Sequence, residues 1–342
     1  MNIGITGSTG YGGVELYRLL ANHPYTEKCI LYTSTQGGKL YSDVYPHLSG
    51  IQEDSLINVE EAEGIDVMFV AAPPGVSSEL TPKLVKKGMK VVDLSGDFRL
   101  KDPRQYEEWY HRPPAADDLL KDAVYGLSEL NKVSISSCRI LSNPGCYPTA
   151  SLLGLAPLVL QHAVDPCSIV IDAKSGVSGA GRKAGLGTHY SELNENFKVY
   201  KPGEHQHIPE IEQQLGLWMN EPALISFSPH LVPMTRGIMA TMYIKMTESI
   251  TTDELYESYD SFYKDAPFVR VRRPGTYPQT KEVAGSNFCD IGVKVDERTG
   301  RAVIISVIDN LMKGAAGQAV QNFNIMNGWD EQTGLKLLPM YP

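Results

Sequence analysis

The sequence predicts an α/β protein in which an N-terminal, doubly wound parallel sheet is followed by an α+β domain with a largely antiparallel sheet. Three observations carry this. An apolar stretch runs into a glycine turn and a helical pattern at the start of the chain, and strand and helix signals then alternate up to about residue 100. From about residue 165 the strand candidates lengthen and are separated by long polar connections. Strands alternating with helices imply parallel pairing through crossovers, and successive strands without them imply antiparallel pairing.

NIGITG reads as the first strand; STGYGG turns, and VELYRLLANHP follows with apolar residues at Val14, Leu16, Leu19 and Leu20, the spacing of one helix face. KCILYTS is a second strand leading into the turn TQGGK, and GIDVMFVAAPPG a third, closed by Pro-Pro-Gly. TPKLVKKG is helical and MKVVDLSGDFRL is again a strand. SNPGCYPTAS, residues 142–151, is a turn about to become a helix, with Pro148 suited to the first helical turn. CSIVIDAKSG, GIMATMYIKM and AVIISVIDN are the long strands of the second domain. KGAAGQAVQNFNIMNGW reads as a last helix with a glycine-rich start, expected to return to the first domain.

A chain of 342 residues with 42% hydrophobic side chains can build about two domains. Its net charge of −9 and the lack of any lysine or arginine run argue against a nucleic-acid partner. MNIGITGSTG has neither the charged start nor the apolar core of a signal peptide, and no apolar window reaches membrane-span length, so a cytoplasmic location is expected with no membrane partner. The five cysteines (Cys29, Cys138, Cys146, Cys167, Cys289) are odd in number and scattered, which fits free thiols rather than a disulfide framework or a CxxC metal site.

Gly7, Gly10 and Gly13, with Gly12 beside them and Ser8, Thr9 and Tyr11 between, lie directly after a predicted strand and open a predicted helix. Such glycines allow a tight turn and close approach of a dinucleotide pyrophosphate to the helix N-terminus. After the second strand, where an acidic residue would hold the ribose hydroxyls of NAD, the chain has Thr33, Ser34, Thr35 and Lys39, a set that favours the 2′-phosphate of NADP. Cys146 at a helix start would feel free N–H groups and the positive dipole end, which favour thiolate. A nicotinamide cofactor with a low-pKa cysteine suggests acyl chemistry through a thioester. GEHQHIPEIEQQL supplies His205 and His207 as candidate proton carriers, with Glu210 either orienting an imidazole or simply favoured at the helix start. No third ligand stands at metal-site spacing, so no metal is expected.

In order along the chain, GSTGYGG, DLSGDFRL (93–100), YGLSELN (125–131), SNPGCYPT (142–149), KSGVSGAGR (174–182), HQHIPEIEQ (205–213), PHLVPMTRG (229–237) and KGAAGQAVQN (313–322) make the sequence resemble N-acetyl-gamma-glutamyl-phosphate reductase in its longer bacterial and plant form. The likeness covers essentially the whole chain, and a more distant one extends to aspartate-semialdehyde dehydrogenase. It implies NADPH-dependent reduction of N-acetyl-L-glutamyl 5-phosphate to the 5-semialdehyde with release of phosphate, in arginine biosynthesis, by a cytoplasmic homo-oligomer, dimer or tetramer. It implies a Rossmann domain over 1–146 completed by a C-terminal helix within 313–342, and a catalytic, substrate and oligomerisation domain over 147–312. It makes Cys146 the nucleophile and puts the acid/base in the segment of His205 and His207, where the family reads His-Arg-His and Gln206 departs from it. By the same resemblance Ser178, Gly179 and Gly181 line the nicotinamide pocket, and Asn310, Gly314 and Gly317 the far cofactor wall. Arg99, at the place of the phosphate-binding arginine of the aspartate-semialdehyde dehydrogenases, joins Asn143, Lys174, Arg182 and Arg236 as substrate-binding candidates. Two other readings stay open: a reductase of aspartyl or aminoadipyl phosphate, and a non-catalytic NADP sensor, which would have no need of Cys146 with the two histidines.

Overall fold

The computed structural model describes residues 1–341. It divides into one unit formed by Met1–Pro144 and Ala316–Leu335 and another formed by Gly145–Ala315 and the residues from Lys336 onward.

The first unit carries strands β1 (Asn2–Thr6), β2 (Lys28–Thr33), β3 (Ile57–Asn58), β4 (Val67–Val70), β5 (Lys90–Asp93), β6 (Val124–Tyr125) and β7 (Ile140–Ser142). All pair in parallel in the order β3-β2-β1-β4-β5-β7-β6. The order reverses between β1 and β4, and ligands of such sheets bind beyond the strand carboxyl ends at that reversal. All four residues of β4, Val67 to Val70, are fully buried, as a parallel strand covered on both faces must be, which is why this stretch reads as one apolar run. The helices are α1 (Tyr11–Leu20), α2 (Tyr41–Val44), α3 (Val76–Lys86), α4 (Pro103–Tyr110), α5 (Asp117–Asp122) and α6 (Ser128–Ser137).

Helix α3 starts at Val76, five residues before the helical pattern of TPKLVKKG, and runs through Pro82. The buried carboxylate of Asp97 accepts from the N–H of Gly75 at 2.8 Å and of Ser78 at 2.9 Å, and from the Tyr106 hydroxyl at 2.7 Å. A cap supplied from beyond β5 thus sets the helix start, and the proline, which would open a helix locally, is carried inside it.

The second unit has α7 (Cys146–Leu160), β8 (Val170–Gly176), α8 (Tyr190–Leu193), β9 (Lys198–Val199), α9 (Ile208–Met219), β10 (Ser226–Val232), β11 (Ile238–Lys245), α10 (Thr252–Tyr263), β12 (Val269–Val271), β13 (Cys289–Asp296) and β14 (Arg301–Ile308). Its sheet runs β12-β13-β14-β11-β8-β10-β9. The β13-β14, β14-β11, β11-β8 and β10-β9 pairs are antiparallel, and β8-β10 and β12-β13 are parallel, so the sheet is mixed. The parallel β8-β10 pair follows from its connection, which is long enough to hold α9 as a crossover. Every residue of α7 from Tyr147 to Val159 is buried, and the helix packs on β11 and β14, where Gly154 admits the Met242 side chain. After β14 a π-helical turn, Met312–Ala316, leads into α11 (Gly317–Met326), which packs on α6 and α1 of the first unit.

Candidate active site

In the first unit the chain leaves β1 and turns at Gly7, whose φ of 74° suits glycine. A Cβ at Gly7 would stand 2.3 Å from the Ala71 carbonyl oxygen, and one at Gly13 2.5 Å from that of Gly7, so the turn itself demands both. At Gly10 and Gly12 a Cβ would meet nothing nearer than 3.5 Å and 4.0 Å. Their bare backbone is not required by the protein's own packing, and it leaves room for a ligand to approach closely. Gly10 caps α1 in extended conformation with no side-chain cap, so the first-turn N–H groups remain for an anion such as a pyrophosphate. The buried Ser8 hydroxyl is taken up in donating to Tyr32 O at 3.0 Å, which leaves its main chain to meet a ligand. Tyr41 donates to Ser8 O at 2.9 Å, and Tyr45 to Thr9 O and Gly10 O at 3.0 and 3.1 Å, which holds the loop; Tyr11 opens the helix, partly exposed. Past β2, the Thr33 hydroxyl is taken up by the N–H groups of Thr35 and Gln36, whereas Ser34, Thr35 and Lys39 are exposed. Two hydroxyls and an ammonium with no carboxylate among them fit a 2′-phosphate.

The first unit also joins Arg99 and Asn143. The buried Arg99 donates from Nε to Asn143 O at 2.9 Å and from Nη2 to Leu94 O at 3.2 Å. Asn143 donates its N–H to Asp93 O at 2.7 Å and accepts at Oδ1 from Asn322 at 3.1 Å. Asn322 is fully buried on α11 and also donates to Gly126 O, while Gln318, one turn before it, donates to Gly126 O as well. These amides, not among the residues predicted above, hold the residues just before Pro144; their sequence signal is a set of four amides, Gln318, Gln321, Asn322 and Asn324, in a ten-residue helix that carries no charge.

In the second unit Cys146 is the first residue of α7 and is partly exposed, and its N-cap Gly145 supplies no side-chain cap. The Gly145 N–H donates to Oε1 of the fully buried Glu210, in the first turn of α9, at 2.9 Å. A Cβ on Gly145 would stand 2.5 Å from His207 Nε2 and 2.9 Å from Cδ2 and Cε1. The His207 ring therefore lies on the Gly145 main chain, one residue from the thiol, and only glycine permits it there. His205 does other work: its Nδ1 accepts the His207 N–H at 3.1 Å, and its ring sits among Tyr147, Tyr200 and Phe227. The sequence offered no sign of Tyr200, which donates to the Tyr147 hydroxyl at 3.0 Å and closes this cluster.

Burial first, and the charge of Lys201 second, pull His205 down to about 4. Above the unfolded value near 6.5 the ring is neutral folded and unfolded alike; below it the unfolded chain takes up a proton that the buried ring refuses, so stability falls as pH falls toward 4. Between pH 7.5 and 5 the protein should lose about 2 kcal/mol through this group. Urea midpoints at the two pH values should converge in His205→Asn; an unchanged difference would show that the acid sensitivity comes from elsewhere.

The remaining predicted residues divide. Asn310 accepts the Gly237 N–H at 2.7 Å and donates to Ser178 at 2.9 Å, so Ser178, Asn310 and the loop holding Arg236 meet at the ends of β8, β11 and β14. Arg236 lies 3.6 Å from Asp309 beside them. A Cβ on Gly179 would be 3.1 Å from Ser175 Oγ, and Gly181 turns with φ 80°. Gly314 lies against Cys146, whereas Gly317 opens α11 in the first unit. Lys174 is not brought to Cys146: it follows the core-facing Ala173, so it projects from the sheet face opposite α7, paired with Asp172 at 2.6 Å. Arg182 lies on an exposed loop.

A family model described as the NAD binding domain of semialdehyde dehydrogenase matches residues 2–138, and one described as the semialdehyde dehydrogenase dimerisation domain matches residues 146–310. The chain is 60% identical over 346 residues to N-acetyl-gamma-glutamyl-phosphate reductase of Bacillus subtilis (strain 168), and 56% identical over 344 residues to that of Geobacillus stearothermophilus, with 100% of each chain covered. Among solved structures, aspartate semialdehyde dehydrogenase II of Vibrio cholerae, complexed with ASA, superposes with a TM-score of 0.72 at 19% identity, covering 95% of this chain and 97% of that one. Aspartate semialdehyde dehydrogenase of Candida albicans, with NADP, gives 0.69 at 17% identity, covering 95% and 98%. At such identity these structures show a shared fold.

Proposed function

The chain belongs to the N-acetyl-gamma-glutamyl-phosphate reductase family, and we propose from that premise how its residues divide the reaction among them. The enzyme is an NADP-dependent acyl-phosphate reductase of arginine biosynthesis, converting N-acetyl-L-glutamyl 5-phosphate to N-acetyl-L-glutamate 5-semialdehyde with release of phosphate. In our reading the N-terminal part, expected from the sequence as 1–146 and completed by a C-terminal helix within 313–342, binds the cofactor, and the unit of Gly145–Ala315, which takes in Cys146, supplies catalysis, substrate contacts and self-association. The work is done by a homo-oligomer in the cytoplasm, and the description of the matched second domain as a dimerisation domain supports the self-association.

Cys146 attacks the acyl carbon as thiolate; the carbon–oxygen bond to phosphate breaks and a thioester remains on the sulfur. N–H groups at the start of α7 face the carbonyl oxygen as it gains charge. The Gly7–Gly13 turn, with Ser34, Thr35 and Lys39, would hold NADPH, whose chemistry when bound would be hydride donation, and Cys146 keeps the thioester carbon in place to accept it. Collapse of the resulting tetrahedral adduct breaks the carbon–sulfur bond, releasing the aldehyde and restoring the thiolate. His207, as imidazolium, partners the sulfur before attack and after collapse. Glu210 holds the Gly145 N–H and so the start of α7, and His205, neutral, orients His207 through its backbone. Arg99, Asn143, Arg182 and Arg236 are the substrate-anchoring candidates that remain, with Arg99 and Asn143 acting on the loop before Cys146. Lys174, paired with Asp172 on the far sheet face, is left out of this set.

The observation that carries this reading is the His207 ring seated on Gly145, beside a cysteine that opens a buried helix. Its test is the reverse reaction, in which the semialdehyde, phosphate and NADP should give NADPH in stoichiometric amount, and omission of phosphate should stop steady turnover. Aspartate semialdehyde serving equally well would overturn the substrate assignment. Through Ser34, Thr35 and Lys39, NADPH should exceed NADH in kcat/KM by at least about tenfold, or ~1.4 kcal/mol. Equal use of the two cofactors would remove those residues from the 2′-phosphate site.

A further inference from the structure

The turn that follows β14 is wider than an α-helical one. The Gly314 N–H reaches back to Asp309 O at 3.0 Å, five residues earlier, and the Asp309 carboxylate accepts from Leu311 and Met312 at 2.9 and 3.2 Å and from Gly285 at 2.7 Å. Asp309 is fully buried, so this π-helical turn is pinned at its origin. Single π-helical turns are disfavoured in themselves and gather at functional sites.

Glycine is the poorest helix former after proline, and at position 314 its freedom at positive φ is not used, since Gly314 is not among the described glycines with positive φ. The close approach of Cys146 explains the residue. A Cβ on Gly314 would stand 2.8 Å from Cys146 Cβ, 3.3 Å from Cys146 Cα and 3.2 Å from Ile308 Cδ1. Ile308 Cδ1 is the end of a flexible side chain and can give way; Cys146 Cβ and Cα belong to the first residue of a buried helix whose preceding N–H is tied to Glu210, and cannot. We propose that Gly314 is a positioning residue: the π-helical turn presses its bare backbone against the Cys146 Cβ and so sets where the thiol stands relative to His207, whose ring lies on Gly145. The proposal rests on the reading of Cys146 as the nucleophile. It gives Gly314 a task on the sulfur side of the reaction in addition to any contact with cofactor.

The test is Gly314→Ala in the full-length enzyme. We expect kcat to fall at least about 30-fold, well beyond any rise in KM for NADPH, because the damage is chiefly to the Cys146–His207 geometry and the Gly7–Gly13 turn is untouched. The pH midpoint of Cys146 alkylation by iodoacetamide should rise by at least about half a unit as the thiol leaves its partner. Wild-type kcat with an unmoved midpoint would overturn the proposal. Ile308→Val added to Gly314→Ala should not restore activity; recovery to within about threefold of Ile308→Val alone would assign the defect to overpacking at Ile308 and also overturn it. A stability cycle serves even if the alanine variant is too damaged to assay. Gly314→Ala should lower the urea midpoint in the wild-type background and leave it unchanged or raised in Cys146→Gly, where no Cβ remains to collide; equal lowering in both would refute the contact. This cycle does not depend on turnover, so a failure of the nucleophile assignment, read from Cys146→Ser, is distinguishable from a failure of the positioning role.

Discussion

Cys146→Ser is expected to abolish reductase turnover, by at least about 10³-fold in kcat, while NADPH binds within a few-fold of wild type. Serine keeps the size of the side chain and can occupy the first position of α7, so the fold and the Gly7–Gly13 turn are untouched. What it lacks is a nucleophile ionised near neutral pH. Retention of more than about a tenth of wild-type activity would refute the thioester route. The same sulfur should be the first to react with limiting iodoacetamide near pH 6.5. Burial pushes the Cys29 thiol up to about 12 and the Cys138 thiol up to about 11, and Cys289 is buried against Ser306. The exposed Cys167 is the competitor that matters. It sits in a turn away from any long helix start, so Cys146, at the N-terminus of α7, should be modified ahead of it and lose activity in step. Saturating N-acetyl-glutamate semialdehyde should slow that labelling by forming a thiohemiacetal on the sulfur. Prior labelling of Cys167, established by peptide mapping, would count against a thiolate at 146.

The second large effect separates the two histidines. His207→Asn should lower kcat by about 10²–10⁴-fold and remove the limb of the pH–rate profile that belongs to the acid. His205→Asn, which retains a group able to accept the His207 N–H, should lower kcat by no more than about tenfold and leave that limb in place. The asymmetry follows from geometry: one ring touches the Gly145 main chain beside the thiol, and the other is held neutral among aromatic rings. If the His205 variant loses both rate and limb while the His207 variant keeps them, the roles are reversed.

Much of the first unit was legible because its signals are local. A strand, a glycine turn and a helix adjacent in sequence produced the dinucleotide motif, and the fully apolar run of β4 announced a buried parallel strand. The second sheet was legible only in its long central strands. The edge strands β9 and β12, of two and three residues, carry too little pattern to register, and β10 interrupts its alternation with Pro229 and His230. The parallel β8-β10 pairing was hidden for another reason: parallel partners are joined through a crossover, and nothing in either strand names its neighbour. Helix α3 shows the same limit at a boundary, since its cap comes from Asp97, on the other side of β5.

For the site, the sequence alone determined that a cysteine follows Pro-Gly at a helix start, that glycines without an acidic partner close β1 and β2, and that two histidines precede a helix with a glutamate in its first turn. Each of these is a property of a few consecutive residues, where backbone sterics and helix-end electrostatics act. Only the tertiary structure decided which imidazole lies on the Gly145 main chain, one residue from the thiol, that Glu210 grips the Gly145 N–H from 65 residues away, that Gly314 stands behind Cys146, and that Lys174 faces the other side of its sheet. These are contacts between segments distant in the chain. They are set by how α7, α9 and the π-helical turn pack, and close packing of that kind depends on the shapes of both partners at once, which no single stretch of sequence contains.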